Sequence, residues 1–306
     1  MNQEDDETEM VKYRVDQLFP GGVQSVRPNP KQKDIVYMPI FTITVVVILI
    51  SVFIISQIDK GRYGINKKGS LYVPCMKPAG HQTRTLVIVC DLAEKCTYDE
   101  LLKSMCSHFL YPYQLYRFIT AMFLHMNLLH FLVNTLNIIL CGITVERKFG
   151  SVKTLIVYFV SSFTAMLMHA VLFNQSLGLG ASGASYGLLV VVIVDRLGTL
   201  SKANRLRILI EILFYFSVLN IPYIVMSFFY QINHEAHVAS ALVGLLLGIV
   251  LSEYAAISRQ LRYVSIFLIV VIFTALIITF FATNAPHLKW IENALLTNES
   301  LVSVVD

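Results

Sequence analysis

Charge is scarce in this sequence. Asp, Glu, Lys and Arg make up 14% of the 306 residues, apolar residues make up 56%, and the formal net charge is +4. A soluble domain of this size needs a charged exterior, so the shortage points to a chain embedded in lipid. No run of Lys and Arg stands out, which argues against a nucleic-acid partner. The first residues, Met1 to Met10, are acidic and polar, unlike a cleaved signal peptide or an Arg-rich transit peptide. The histidines His125, His130, His234 and His237 lack a His-Glu-x-x-His spacing, so neither a metal nor another cofactor is expected.

What remains is a set of apolar segments: 39–57, 120–144, 154–173, 182–194, 208–229, 236–252 and 264–283. The expected fold is all-α, a polytopic membrane protein with seven transmembrane helices. Its parts are a tail over 1–35, a first helix within 36–58, a long loop over 59–116, helices two to six within 117–257, a seventh helix within 258–284 and a tail over 285–306. Positive residues fall on one side: Lys12 and Arg14 in the tail, then Arg147 and Lys148, Arg196 and Arg207, and Arg259 and Arg262. The short connections 174–181 and 230–235 hold none. The N-terminus is therefore expected in the cytoplasm and the C-terminus in the lumen or outside the cell, on the secretory route or at the plasma membrane.

Loop 59–116 breaks that pattern with eight Lys and Arg, but long loops largely escape the charge rule. Four of the five cysteines, Cys75, Cys90, Cys96 and Cys106, lie there. An even number on an oxidising side suggests two disulfides, with three pairings open. Cys141 falls in a membrane helix and reads as packing. Asn298-Glu299-Ser300 is a glycosylation sequon well clear of the membrane, whereas Asn174-Gln175-Ser176 lies too close to it.

The chemistry centres on Gly180-Ala181-Ser182-Gly183-Ala184-Ser185-Tyr186. From Ser182 to the first charge, Asp195, is 13 residues, a helical rise of only ~20 Å against a hydrocarbon core of ~30 Å. A helix starting at Ser182 therefore begins inside the bilayer, where its free N–H groups must face protein or water. His130 and His237 each lie 16 residues before a glutamate at the charged end, Glu146 and Glu253, a rise of ~24 Å. Three counts thus bring Ser182, His130 and His237 to similar depth. Asn134 shares a helix face with His130. Ser240, Gly244 and Gly248 form a small-residue stripe suited to close helix contact. Ser185 and His234 compete with Ser182 and His237, but His234 falls outside the stripe, and Ser182 could be packing alone. Pro222 should kink the fifth segment.

From Tyr116 to about Gly248 the chain resembles the rhomboid intramembrane serine proteases. The resemblance rests on Tyr116-Arg117, His130-x-x-x-Asn134, Glu146 with Gly150, Gly180-x-Ser182-Gly183 with Tyr186, and Ala236-His237 followed by Ser240 and Gly244. It implies Ser182 as nucleophile, His237 as general base and Tyr186 packed on the histidine ring. The oxyanion hole would be the Ser182 N–H with the side chains of His130 and Asn134. Gly180 and Gly183 would support the turn, and Arg117 and Glu146 would be structural. A six-helix core with one extra C-terminal helix resembles the secretory-pathway members. Substrates would be single-pass transmembrane proteins with small or helix-breaking residues near the outer face.

Two positions depart from the family pattern. Tyr116 stands where tryptophan is usual, and Ser240 where glycine is usual, which could alter the Ser182–His237 distance. Two other readings stay open. One is an inactive rhomboid-like protein that binds or escorts clients. The other is a transporter, which would call for inverted repeats or paired broken helices where only one short segment is seen.

Overall fold

The computed structural model describes residues 36–58, 65, 68–77, 87–89, 95–173, 176–200, 204–228, 234–252, 254 and 257–283. Eight principal helices follow in chain order: α1 (Ile40–Ile58), α2 (Tyr98–Met105), α3 (Leu128–Phe149), α4 (Ser151–Leu172), α5 (Ser182–Gly198), α6 (Arg205–Ser227), α7 (His234–Leu251) and α8 (Arg259–Ala282). Of these, α1, α3, α4, α6, α7 and α8 are long and apolar enough to cross a membrane. The remaining apolar segment forms α5, of only 17 residues, as its spacing predicts. Even α1, rich in Val and Ile, is helical. In lipid, backbone hydrogen bonding inside the segment outweighs the small helix penalty of β-branched residues.

The interior is built around α5, which packs on both α4 and α7. Its Leu188, Leu189, Val191 and Val192 are buried in one cluster with Val157 and Tyr158 of α4 and Val243 of α7. By contrast α6 buries only Ile208, Leu219, Tyr223 and Met226, and runs helical through Pro222.

One element starts later than expected. The second apolar segment opens with a helical turn, Arg117–Thr120, and a 3-10 turn, Ala121–Phe123; α3 itself begins at Leu128. The cause is Asn127, whose side chain accepts the His130 N–H at 2.9 Å and caps a new helix there. A π turn at Ile138–Gly142 interrupts α3 lower down.

Glu146 ties the charged end together. Its carboxylate accepts the backbone N–H groups of Phe41 and Thr42 at 2.8 Å each, the Thr42 hydroxyl at 2.6 Å and the Ser151 hydroxyl at 2.5 Å. It therefore caps α1 from a helix far away in sequence, supplying the negative charge that a helix N-terminus favours. Hydrogen bonds to a charged acceptor contribute about 1.5–3 kcal/mol each when buried. Gly150, at φ +87°, makes the turn from α3 into α4. Further along this end, Lys148 pairs with Asp195, and the Tyr254 hydroxyl donates to Asp195 at 3.1 Å.

The long loop is more structured than its composition suggests. Val87–Val89 pairs antiparallel with Lys95–Thr97, and α2 starts from a capping box between Thr97 and Glu100. A disulfide joins Cys75 to Cys106. Cys90 and the Cys96 side chain lie outside the described residues, so the second expected bridge is left there, as are both tails and the sequon at Asn298. Two of the loop's positive charges act as helix caps. Lys68 donates to the Ser56 carbonyl at the end of α1 (2.9 Å), and Lys77 to the Thr283 carbonyl just past α8 (2.8 Å).

Candidate active site

The approach to Ser182 is held by three backbone supports. Buried Arg117 donates from Nε to Gln114 Oε1 at 2.7 Å and from an NH group to the Ser70 carbonyl at 2.6 Å. Burial lowers its pKa to about 10, which leaves it charged at neutral pH. Next to Ser70, Leu71 pairs with Gly178 through two backbone hydrogen bonds of 2.8 and 2.9 Å. The chain then reaches Gly180, whose N–H donates to the Ala121 carbonyl at 2.9 Å.

Gly180 has φ +115°, a region that L side chains rarely adopt. A Cβ there would also lie 2.7 Å from His130 Cε1 and 3.7 Å from Asn134 Nδ2. The turn therefore runs directly against the side chains of His130 and Asn134. Helix α5 starts at Ser182 with no side-chain cap among the described residues, so its first N–H groups lack a side-chain acceptor there. Gly183 sits against α4, where a Cβ would be 2.9 Å from Ser162 Cα.

Ser182 Oγ and His237 Nε2 are 2.9 Å apart, across 55 residues of sequence. Tyr186 stacks on the His237 ring at 4.6 Å between centroids and 23° between planes. His237 Nδ1 has no hydrogen-bond partner among the described residues, so no carboxylate orients the ring from behind. Ser240 donates to the His237 carbonyl at 2.9 Å, folding back on its own helix, while Ser182 and His237 stay within hydrogen-bond reach. The competing serine, Ser185, faces Asn134 at 3.4 Å. His234 is exposed, with its ring centroid 6.5 Å from that of His237. His125 is buried edge-on to His130 at 5.2 Å. At the interfacial position, the Tyr116 hydroxyl bonds Ser107 Oγ at 2.7 Å.

Two participants were not foreseen, both on α6. Tyr223 donates to Asn134 Oδ1 at 2.8 Å, and Asn220 accepts the Tyr186 hydroxyl at 3.1 Å. Asn220 lies two residues before Pro222, and a single asparagine in an apolar helix does not point to the site. A tyrosine in an apolar helix gives no signal distinct from ordinary packing.

Residues 112–254 match the rhomboid domain. The chain carries a rhomboid domain over those residues. Among its relatives, RHOMBOID-like protein 6, mitochondrial, of Arabidopsis thaliana is 28% identical over 57% of this chain and 64% of its own length. Rhomboid-like protease 3 of Toxoplasma gondii is 32% identical, over 25% of this chain and 29% of its own. Inactive rhomboid protein 1 of Drosophila melanogaster is 29% identical over 62% of this chain and 14% of its own. The chain spans less than two thirds of these relatives' lengths, and the relatives include both a protease and an inactive protein.

In this rhomboid the α5–α7 crossing sets how closely Ser182 and His237 approach. A Cβ on Gly244 would lie 2.7 Å from the Gly187 carbonyl oxygen and 2.8 Å from its Cα, both immovable backbone. A Cβ on Gly248 would instead meet the Val194 side chain at 3.0 Å, which can shift. Gly244→Ala should therefore cost about 1–3 kcal/mol by overpacking. Thermal unfolding in detergent should show a clear drop in midpoint for Gly244→Ala and a smaller one for Gly248→Ala. Equal effects would contradict this account of the crossing.

Proposed function

We propose that this rhomboid is an intramembrane serine endopeptidase that cuts the transmembrane segments of single-pass membrane proteins. The observation that carries the reading is the 2.9 Å contact between Ser182 Oγ and His237 Nε2 beside an uncapped helix start. Ser182 Oγ attacks the scissile carbonyl carbon while His237 Nε2 takes the hydroxyl proton. The resulting oxyanion is met by the Ser182 N–H, His130 and Asn134. His237 then protonates the leaving amine, and water repeats the sequence to release the acyl group from Ser182.

With no carboxylate behind the histidine among the described residues, the pair works as a dyad and relies more on its oxyanion donors. Loss of one such donor costs ~3 kcal/mol in soluble serine proteases. A substrate helix hides its scissile carbonyls in its own hydrogen bonds, so it must unwind to react. Small or helix-breaking residues near the outer face favour that step.

The domain limits proposed are those of the sequence analysis: tails at 1–35 and 285–306, the outer loop 59–116 and catalytic helices within 117–257. The N-terminus is assigned to the cytoplasm and the C-terminus to the lumen or exterior of the secretory route. The Cys75–Cys106 bridge supports this, because such bonds persist on the oxidising side. The mitochondrial label of one plant relative points the other way. In eukaryotic membranes, deglycosylation should shift the wild-type chain on a gel and leave Asn298→Gln unchanged. An unshifted wild type that co-purifies with mitochondria would reverse the assignment.

The second reading, an inactive client-binding rhomboid, draws on the similarity to the Drosophila protein. Cleavage of a reporter transmembrane substrate in liposomes separates the two. Wild type should cut, and Ser182→Ala and His237→Ala should each lower the rate by about 10³-fold or more. Binding of the reporter without cleavage by wild type would favour the inactive reading.

A further inference from the structure

Helix α6 buries few of its residues, yet two of its polar side chains, Asn220 and Tyr223, end at the site. Asn220 takes the hydroxyl of Tyr186, whose ring supports His237. Tyr223 reaches further. It is buried, its ring lies edge-on to His237 at 5.1 Å and to His130 at 6.3 Å, and its hydroxyl donates to Asn134 Oδ1 at 2.8 Å.

The Asn134 amide can be accounted for atom by atom. Its Oδ1 accepts from Tyr223 at 2.8 Å and more distantly from Ser185 at 3.4 Å. One of its two N–H bonds goes to the His130 carbonyl at 3.1 Å. That carbonyl can only accept, so it fixes which end of the amide carries nitrogen. The second N–H is then left beside the Gly180 turn, with Nδ2 3.7 Å from where a Gly180 Cβ would sit. A donor into Oδ1 holds the amide in this rotamer. It also polarises the amide, because hydrogen bonds in series strengthen one another in a low-dielectric interior.

We infer that Tyr223 is a positioning residue for the reaction, setting and polarising the Asn134 amide as an oxyanion donor through its hydroxyl. The inference rests on the protease reading above and adds α6 to the machinery. The role belongs to the hydroxyl and not the ring, so phenylalanine is the informative replacement: it keeps the contacts with His237 and His130.

The test is a double-mutant cycle in liposomes with the reporter substrate, using Tyr223→Phe, Asn134→Ala and both together. Tyr223→Phe should lower kcat about tenfold with KM changed less than about twofold, the pattern of an interaction made in the transition state. In the Asn134→Ala background it should add less than about twofold. Asn134→Asp, which keeps an acceptor for Tyr223 but has no N–H, serves as the partner variant if the alanine fails to fold. Independent effects in the two backgrounds, an effect confined to KM, or a kcat unchanged or raised by Tyr223→Phe would each overturn the role. A wild type that cuts nothing would sink the protease reading and this role with it, whereas an active wild type with an additive cycle sinks this role alone.

Discussion

A helix that begins in the middle of an apolar bundle leaves N–H groups that lipid cannot satisfy, and the helix start at Ser182 is buried within protein without a side-chain cap. Because α5 spans only 17 residues, its N-terminus stays inside and the residues before it must come back into the bundle. That return brings Gly180 against His130 and Asn134, and it brings Ser182 to 2.9 Å from His237. The serine–histidine contact is therefore a consequence of helix length combined with the bare backbones of Gly187 and Gly244 at the crossing. A bulkier pair there would hold α5 and α7 apart and separate the two side chains.

The supports outside the site also have identifiable causes. At one end, Glu146 caps α1 and holds it to α3 and α4. At the other, Arg117 holds Ser70, and its neighbour Leu71 pairs with Gly178, four residues before Ser182. The Cys75–Cys106 bridge closes the same loop segment. The loop's excess of positive charge, which conflicts with the rest of the charge pattern, is partly explained by Lys68 and Lys77. Both cap the C-terminal ends of membrane-length helices, which gives them a structural use in the loop.

The grouping of Ser182, His130, Asn134 and His237 was legible in the sequence, because charges mark the membrane face and helical rise converts spacing into depth. Tyr186 followed from the resemblance and its place one turn below Ser182. The start of α3 was misjudged because hydropathy cannot see Asn127 capping a fresh helix. The hairpin and α2 were hidden in a loop of mixed composition, where short-range caps outweigh hydrophobic pattern. Tyr223 was hidden for another reason: its importance lies in one hydroxyl pointing at Asn134, 89 residues away in sequence. No pattern along a single helix carries that.

In the proposed mechanism the Ser182 hydroxyl is nucleophilic because His237 takes its proton. Treating the purified chain in liposomes with a fluorophosphonate and mapping the adduct by peptide mass spectrometry tests this without a substrate. The account predicts one adduct, on Ser182, that disappears in His237→Ala. An adduct on Ser185, or labelling of Ser182 that survives loss of His237, would contradict it.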